Sequence, residues 1–325
     1  MREVSVASIQ PKGQPHLSPF RGETDRDLAR AHIETNIQQA ERLIAEAGDG
    51  CDLVVYPEDI QGTAHYGYYM DDKDLFADFV ETVPGPTTER IAAAAKQADV
   101  NVVFGIFQRD GETIYNASVL MSRKGEILGV YHKVQLPASE RWAIQHGKGF
   151  PVFEADFGTV GMLVCYDMMF PEVARSLALN GAEILCSPTM GYSGPDQCED
   201  NGVLRVRVRA MDSFAPVVVS KCGNGSLIVD SRGNVVVKPD GGERILRATL
   251  DLDDTPNDPS QWEVITGTAD CKARFLQERI PEVYGDLVNS SPPVLARYEE
   301  KRLRESADEQ MAAYRQIHEM WGGGK

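Results

Sequence analysis

The folds open to this chain are narrowed most by one stretch, in which a short apolar run ends in a cysteine and is soon followed by Pro-Glu. Residues 160–164 (Val-Gly-Met-Leu-Val) have the length and apolarity of a buried strand. Cys165 stands at its end. Pro171 suits the first position of a helix, where its missing N–H is no loss, and Glu172 suits the first helical turn. The segment therefore predicts strand, Cys-bearing turn, helix. Such a turn lifts a side chain out of a sheet and aims it at a crevice. Backbone N–H groups and the positive end of a helix near the sulfur would favour thiolate over thiol. A lone free Cys, however, usually packs as a small hydrophobe. The catalytic reading depends on what the rest of the chain places beside it.

Other apolar runs supply the frame. Strands are predicted at 4–9, 53–56, 102–107, 184–187, 217–220 and 245–250. Helices are predicted at about 24–47, with Thr24 and Asp25 as caps, and at 87–98 and 174–180. Two hairpins are expected. One joins 113–121 to 127–134 through Ser122-Arg123-Lys124-Gly125, the other joins 225–230 to 234–238 around Ser231-Arg232-Gly233. Residues 203–210 (Val-Leu-Arg-Val-Arg-Val-Arg-Ala) alternate like a strand. They lie between two short buried strands expected to be parallel, and that connection calls for a helix. Topology is preferred here over the local pattern, with the arginines making polar contacts at interfaces. Past about 289 the chain turns charged and helix-like, and no internal repeat is present. βα units mixed with hairpins define an α/β protein with a mixed sheet or sheets.

Composition excludes several function classes. A formal charge of -16 over 325 residues repels phosphate, so nucleic acid and anionic membrane surfaces are not expected partners. No apolar run reaches the length of a membrane span, and the opening Met-Arg-Glu-Val-Ser-Val lacks the apolar core of a signal peptide. Six scattered cysteines (51, 165, 186, 198, 222 and 271) form no Cys-x-x-Cys pair and have no His at ligand spacing. A reduced, cytoplasmic protein without a structural metal is expected.

Three charged residues stand where a buried strand meets a loop. Glu58 ends Leu53-Val54-Val55-Tyr56-Pro57-Glu58, Lys133 ends Leu128-Gly129-Val130-Tyr131-His132-Lys133, and Glu140 follows shortly after. Any one of them alone reads best as a solvated strand end. With Cys165 at a fourth strand end, their chemistry is complementary. A thiol attacking a carbonyl or nitrile carbon must lose its proton, and a desolvated glutamate can take it and return it to a leaving amine. An ammonium and a backbone N–H can hold the developing oxyanion, each such donor being worth roughly 2.7–4 kcal/mol.

These segments together resemble the nitrilase superfamily of carbon–nitrogen hydrolases, which carry a Glu-Lys-Cys triad. Asp52-Leu53-Val54-Val55-Tyr56-Pro57-Glu58 is similar to the segment of the general base. Tyr131-His132-Lys133-Val134-Gln135-Leu136-Pro137 is similar to the lysine segment, and residues 161–172 to the nucleophile segment. Tyr115-Asn116-Ala117-Ser118, the stretch 140–147, Arg209-Ala210 and the 217–219 strand add smaller matches. The resemblance implies a four-layer α-β-β-α sandwich over residues 1–285, with 286–325 as a C-terminal helical extension. It implies Cys165 as nucleophile and Glu58 as general base and acid. Lys133, with the Tyr166 N–H, would hold the oxyanion, and Glu140 would orient Lys133, the substrate or the attacking water. No cofactor is implied. Pairing into a homodimer or larger homo-oligomer is expected, through the helix after Cys165 and the arginine-bearing helix.

Tyr166-Asp167 after the Cys resembles amidase and carbamoylase branches, where nitrilases tend to carry Trp-Glu. Asp167-Met168-Met169 replaces the Asp-Arg-Arg that grips a carboxylate in D-carbamoylase-like relatives, which favours a less polar amide. Arg279-Ile280-Pro281-Glu282-Val283-Tyr284-Gly285 resembles an element of carbamoyl-hydrolysing members. Substrate contacts are expected from Tyr66, Trp142, Tyr166, Met168, Met169, Met190 and Tyr192, in loops beyond strand ends. The expected activity is a thiol-dependent amidase acting on a small molecule. A nitrilase or an N-carbamoyl (ureido) hydrolase is the alternative within the family. Outside it stand a Cys–His hydrolase using His65, His132 or His146, and a non-catalytic scaffold. Asp59, directly after the expected base, is placed to perturb it.

Overall fold

The computed structural model describes residues 2–12, 26–64, 73–137, 140–190, 199–239, 241–257, 261–301, 309 and 312. The chain divides into two compact units, Met1–Asp254 and Thr255–Lys325. The boundary read from the sequence at 285 falls inside the second.

The first half of the first unit runs β1 (Glu3–Gln10), α1 (Arg26–Gly48), β2 (Leu53–Val55), α2 (Lys73–Phe79), α3 (Pro86–Ala98), β3 (Asn101–Asp110), β4 (Thr113–Met121), β5 (Ile127–His132) and α4 (Glu140–Ala143). The second half runs β6 (Val152–Ala155), β7 (Gly158–Met162), a 3-10 turn (Cys165–Met169), α5 (Pro171–Leu179), β8 (Ile184–Thr189), α6 (Glu199–Ser213), β9 (Val217–Lys221), β10 (Leu227–Val229) and β11 (Val235–Val237). β12 (Arg244–Asp251) then returns to pair antiparallel with β1. The strands form two six-stranded sheets, ordered β12-β1-β2-β3-β4-β5 and β11-β10-β9-β8-β7-β6. In each, three central strands are parallel and the flanking strands antiparallel.

Side-chain alternation makes the layers. Leu53, Val55 and Val103 of the first sheet pack with Val160, Met162, Ile184, Cys186 and Val218 of the second, forming the core between the sheets. The neighbours one residue along face the other way. Val54, Val102 and Phe104 meet Leu43, Ile44, Ile91 and Ala95 of α1 and α3. Leu185, Val217 and Val219 meet Val173, Leu177, Val206 and Ala210 of α5 and α6. Strands covered on both faces read as continuous apolar runs, as these do. The result is the α-β-β-α sandwich that the family resemblance implies. Two serines stitch the sheets: Ser8 Oγ donates to the Val219 carbonyl at 2.6 Å, and Ser220 Oγ to the Ile9 carbonyl at 2.5 Å.

The arginine-bearing segment is helical, as topology requires. Val203, Val206 and Ala210 recur at helical spacing toward the core, which the Val-Arg alternation disguises. The first hairpin strand stops at His132, so Lys133 lies just past it rather than inside a strand to 134. β6, α2 and the helices of the second unit, α7 (Gln261–Thr266) and α8 (Cys271–Gln277), were not anticipated. In the expected C-terminal helical region, the described residues form 3-10 turns at Pro293–Lys301, broken by non-helical Tyr298. Among the described residues, no helix is long and apolar enough to cross a membrane.

Past β2 the chain stays beside β3: Gly105 N–H donates to the Pro57 carbonyl at 3.1 Å, and Ile60 N–H to the Gly105 carbonyl at 2.8 Å. A Cβ at Gly105 would stand 2.6 Å from Glu58 Cα and 2.9 Å from the Asp59 nitrogen, all backbone. Gly105→Ala is therefore expected to cost about 1–3 kcal/mol of stability. A lowered urea midpoint at unchanged slope would show it.

Candidate active site

The parallel strands deliver their residues to one end of the sandwich, where α/β sheets hold ligands. Glu58 lies just beyond β2, Cys165 just beyond β7 and Met190 directly after β8. Lys133 follows the antiparallel strand β5, and Glu140 opens α4. Asn116 sits within β4, paired in register with Phe107.

Lys133 is wholly buried, as is Glu58, and Glu140 is nearly so. The Lys133 ammonium donates to Glu58 Oε1 at 3.1 Å and to Glu140 Oε1 at 2.8 Å. Asn116 Nδ2 donates to Glu58 Oε1 at 2.7 Å, and the Met190 N–H to Glu58 Oε2 at 2.8 Å. Glu58 thus accepts from a cation, an amide and a backbone N–H. The lysine backbone is fixed as well. Lys133 N–H donates to the Asn116 carbonyl at 2.9 Å, and Gly147 N–H to the Lys133 carbonyl at 2.8 Å. A Cβ at Gly147 would meet the His132 carbonyl at 2.1 Å, so only glycine fits there.

Cys165 opens the 3-10 turn with φ of 49°, a left-handed conformation seldom taken by a residue with a Cβ. Strain of this kind concentrates at functional sites. Asp167 braces the turn from below. Its Oδ2 accepts from the Tyr131 hydroxyl at 2.8 Å and the Val164 N–H at 3.0 Å, and its Oδ1 from the Gln135 N–H at 2.8 Å. One buried carboxylate thereby ties the cysteine turn to the lysine strand. Asp59 also has positive φ, 54°, and its carboxylate accepts from Gly62 N–H, the Thr63 hydroxyl and Ala64 N–H. It folds the loop after Glu58 back on itself.

Electrostatics follow from burial. Desolvation works to lower the Lys133 pKa, but the charges of Glu58 and Glu140 outweigh it and hold the ammonium above the ordinary lysine range. Desolvation and the Glu58 charge push the Cys165 thiol up to about 12, against the opposing pull of Lys133 and of the Thr189 hydrogen bond. Desolvation first, and then the Glu58 charge, thus favour the protonated sulfur, against the thiolate expected from the turn alone. Burial lifts Asp59 to about 6, its hydrogen bonds notwithstanding.

The structure thus brings Glu58, Lys133 and Glu140 into direct contact, with Cys165 within their field. Tyr166 and Met169 are half-buried on the cysteine turn, and Tyr166 packs edge-on against Phe170 at 5.3 Å. Met190 is half-buried, and its backbone engages Glu58. Met168 is a correction. It is fully buried with Leu163, Val173 and Leu177, because the tight turn swings it under the sheet, and it serves as core. Tyr66 and Tyr192 lie outside the described residues, as do His65 and the side chain of Trp142, whose backbone belongs to α4. His132 points away from Lys133, bonding Gln108 at 2.8 Å and stacking on Tyr115 at 3.9 Å, and His146 bonds the Gly147 carbonyl. Among the described residues, no group of three or more His, Cys, Asp or Glu could hold a metal ion.

Asn116 and Asp167 stand in segments that resemble the family but carried no expected site role. A signal for Asn116 was present, since Asn116 and Ser118 are polar at alternate positions of a largely apolar strand. The Met190 N–H carries no signal of its own.

The profile of the carbon–nitrogen hydrolase family matches residues 5–258. The chain belongs to that family and is an enzyme of the nitrilase superfamily that hydrolyses carbon–nitrogen bonds. It is 29% identical over 274 residues to a fission yeast (Schizosaccharomyces pombe) protein designated a probable nitrilase, with 79% of this chain and 94% of that one covered. It is 29% identical over 280 residues to an N-carbamoylputrescine amidase of Arabidopsis thaliana, covering 78% and 89% of the two chains. Among solved structures, a carbon–nitrogen hydrolase from Helicobacter pylori superposes with a TM-score of 0.67 at 22% identity, covering 89% of this chain and 99% of that one.

A thiol pushed up to about 12 should alkylate slowly at neutral pH. Below that value the thiolate fraction grows about tenfold per pH unit. The rate constant for iodoacetamide at Cys165 is expected to climb steadily from neutral to alkaline pH. A plateau reached below about pH 8 would reveal a preformed thiolate instead.

Proposed function

We propose that this carbon–nitrogen hydrolase is an amidase that releases ammonia or an amine from a small, weakly polar amide through an acyl-enzyme on Cys165. The observation that carries the reading is the buried ammonium of Lys133, held between Glu58 and Glu140 at the end of the sandwich where the Cys165 turn emerges.

The chemistry follows from the charges. The thiol is neutral at rest, so its proton passes to a Glu58 oxygen as Sγ bonds to the amide carbon. The carbonyl electron pair moves to oxygen, and the Lys133 ammonium and the Tyr166 N–H stabilise it. That N–H lies in the first turn of a 3-10 helix, where donors have no intrahelical acceptor. The carbonyl re-forms as the C–N bond breaks, and Glu58 delivers the proton to the departing nitrogen. Water then attacks the thioester, giving its proton to Glu58, and the thiol leaves with it. Glu140 keeps Lys133 charged and aimed. At the place of a carboxylate-gripping arginine pair stand core Met168 and half-buried Met169, which supports an uncharged acyl group.

A homodimer accords with the outer helices. Leu179 of α5 and Leu204 and Met211 of α6 are 40%, 52% and 49% exposed. Leu204→Asp is expected to shift the species seen in sedimentation toward monomer. An unchanged sedimentation coefficient would count against pairing through this layer.

The activity test is ammonia release from propionamide, hexanamide, benzamide, N-carbamoylputrescine and 3-phenylpropionitrile. Turnover of the simple amides is expected to exceed that of the ureido compound and the nitrile. Cys165→Ala should abolish it, and intact mass should show an acyl adduct on the unmodified protein alone. Lys133→Met should lower kcat by at least about a hundredfold. Turnover surviving in Cys165→Ala would refute the mechanism, and preference for the ureido compound would move the enzyme to the carbamoylase branch.

A further inference from the structure

We infer that Asn116 is a positioning residue that follows the protonation state of Glu58, donating to it as a carboxylate and accepting from it as an acid. This rests on the reading of Glu58 as the residue that takes and returns the proton.

Asn116 is 1% exposed, on the face of β4 that also presents Ser118 to Met162 of the opposite sheet. Its backbone cannot move freely, since its carbonyl accepts from Lys133 N–H at 2.9 Å. Its Nδ2 donates to Glu58 Oε1 at 2.7 Å, the oxygen that also accepts from Lys133. Its Oδ1 is buried and has no hydrogen-bond partner among the described residues. Buried polar atoms are nearly always paired, and an exception calls for a reason.

The reason lies in what Glu58 must do. Its three partners, Asn116 Nδ2, Lys133 Nζ and Met190 N–H, are all donors. That arrangement suits a carboxylate and offers nothing to the O–H of a carboxylic acid. Once the thiol proton has moved to Glu58, the acid needs one acceptor. Turning the Asn116 amide over exchanges Nδ2 for Oδ1 without moving the backbone. Oδ1 then accepts from the new O–H. When the proton leaves for the nitrogen of the substrate, the amide turns back and Nδ2 donates again. An amide carries both functions on one side chain. Among the described residues, the other ionisable groups around Glu58 are Lys133, Glu140, Asp59, Cys165 and Cys222, whose buried thiol also feels the Glu58 charge. Of these, Lys133 can only donate while charged, and Glu140 is bonded to it.

Two variants test this, using the panel amide with the highest kcat/KM. Asn116→Leu keeps the approximate volume and removes both functions. Its kcat is expected to fall by about a hundredfold while KM stays within about threefold, as for loss of a proton-transfer partner. Asn116→Asp keeps the shape and can donate and accept only while its carboxyl is protonated. Its pH–rate profile is therefore expected to move at least about one unit toward acid, with activity recovering there. Circular dichroism and iodoacetamide labelling of Cys165 establish that each variant is folded with its site intact. If Asn116→Leu does not fold, the Asn116→Asp profile decides alone. An Asn116→Leu enzyme within about threefold of the parent kcat, or an Asn116→Asp profile superimposable on the parent's, would overturn the assignment. Those results leave the amidase reading standing, because the parent still forms its Cys165 adduct. A parent enzyme that forms no adduct and hydrolyses no panel compound refutes that reading, and this inference with it.

Discussion

The ammonium of Lys133, shut away from water between two carboxylates, is the interaction on which the rest of the site depends. Burying one charge in an apolar sandwich is costly unless it is paired and hydrogen-bonded. Lys133 meets that condition through Glu58 and Glu140 at 3.1 and 2.8 Å. Removing one partner of such a pair typically costs about 3–5 kcal/mol, because the other charge is stranded. The three residues are therefore mutually required before any chemistry is considered. The group also carries one formal negative charge in excess, which adds to desolvation in raising the neighbouring thiol.

Desolvation and that excess together oppose a simple reading of the cysteine turn. Helix starts and cations usually draw a thiol toward its ionised form. Here the sulfur is desolvated and faces the Glu58 charge, and its pKa rises to about 12. A nucleophile stored as a thiol cannot attack until its proton has somewhere to go. Glu58 can accept that proton only if its own partners tolerate the change. The state of the sulfur, the base and the amide of Asn116 thus form one linked problem.

The fold and the site were legible in the sequence to different depths. Apolar runs that stop at Glu58 and Cys165 marked strand ends, because strands buried on both faces leave no polar residue until they emerge, and Lys133 was marked by the end of a half-buried edge strand of a hairpin. The helix at Glu199–Ser213 was readable only from topology, since its Val-Arg alternation imitates a strand while Val206 and Ala210 keep a helical spacing. The pairing of two sheets was not in the periodicity and came through the family resemblance. Met168 was misread because a residue beside a nucleophile looks like a pocket wall, whereas a 3-10 turn returns it to the core. The left-handed Cys165 was hidden too, since no glycine marks it. The protonation state of its thiol was out of reach because it sums charges from segments far apart in the chain.

Those segments also come from different sheets. Glu58, Asn116 and Lys133 belong to the first sheet or its ends, and Cys165, Thr189 and Met190 to the second. A reaction that passes a proton between them needs the sheets held in one register. The apolar core between the sheets supplies attraction but little directionality, because hydrophobic burial tolerates sliding. Directional bonds remove that freedom. Ser8 and Ser220 each reach a carbonyl across the gap, the Tyr131 hydroxyl reaches Asp167, and the Met190 N–H reaches Glu58. All four join one sheet, or its ends, to the other. Two of the four end on carboxylates that shape the site. The packing that makes the fold and the geometry that makes the chemistry are therefore set by the same cross-sheet bonds, so a fault in the sheet interface would show as lost turnover before it showed as lost structure.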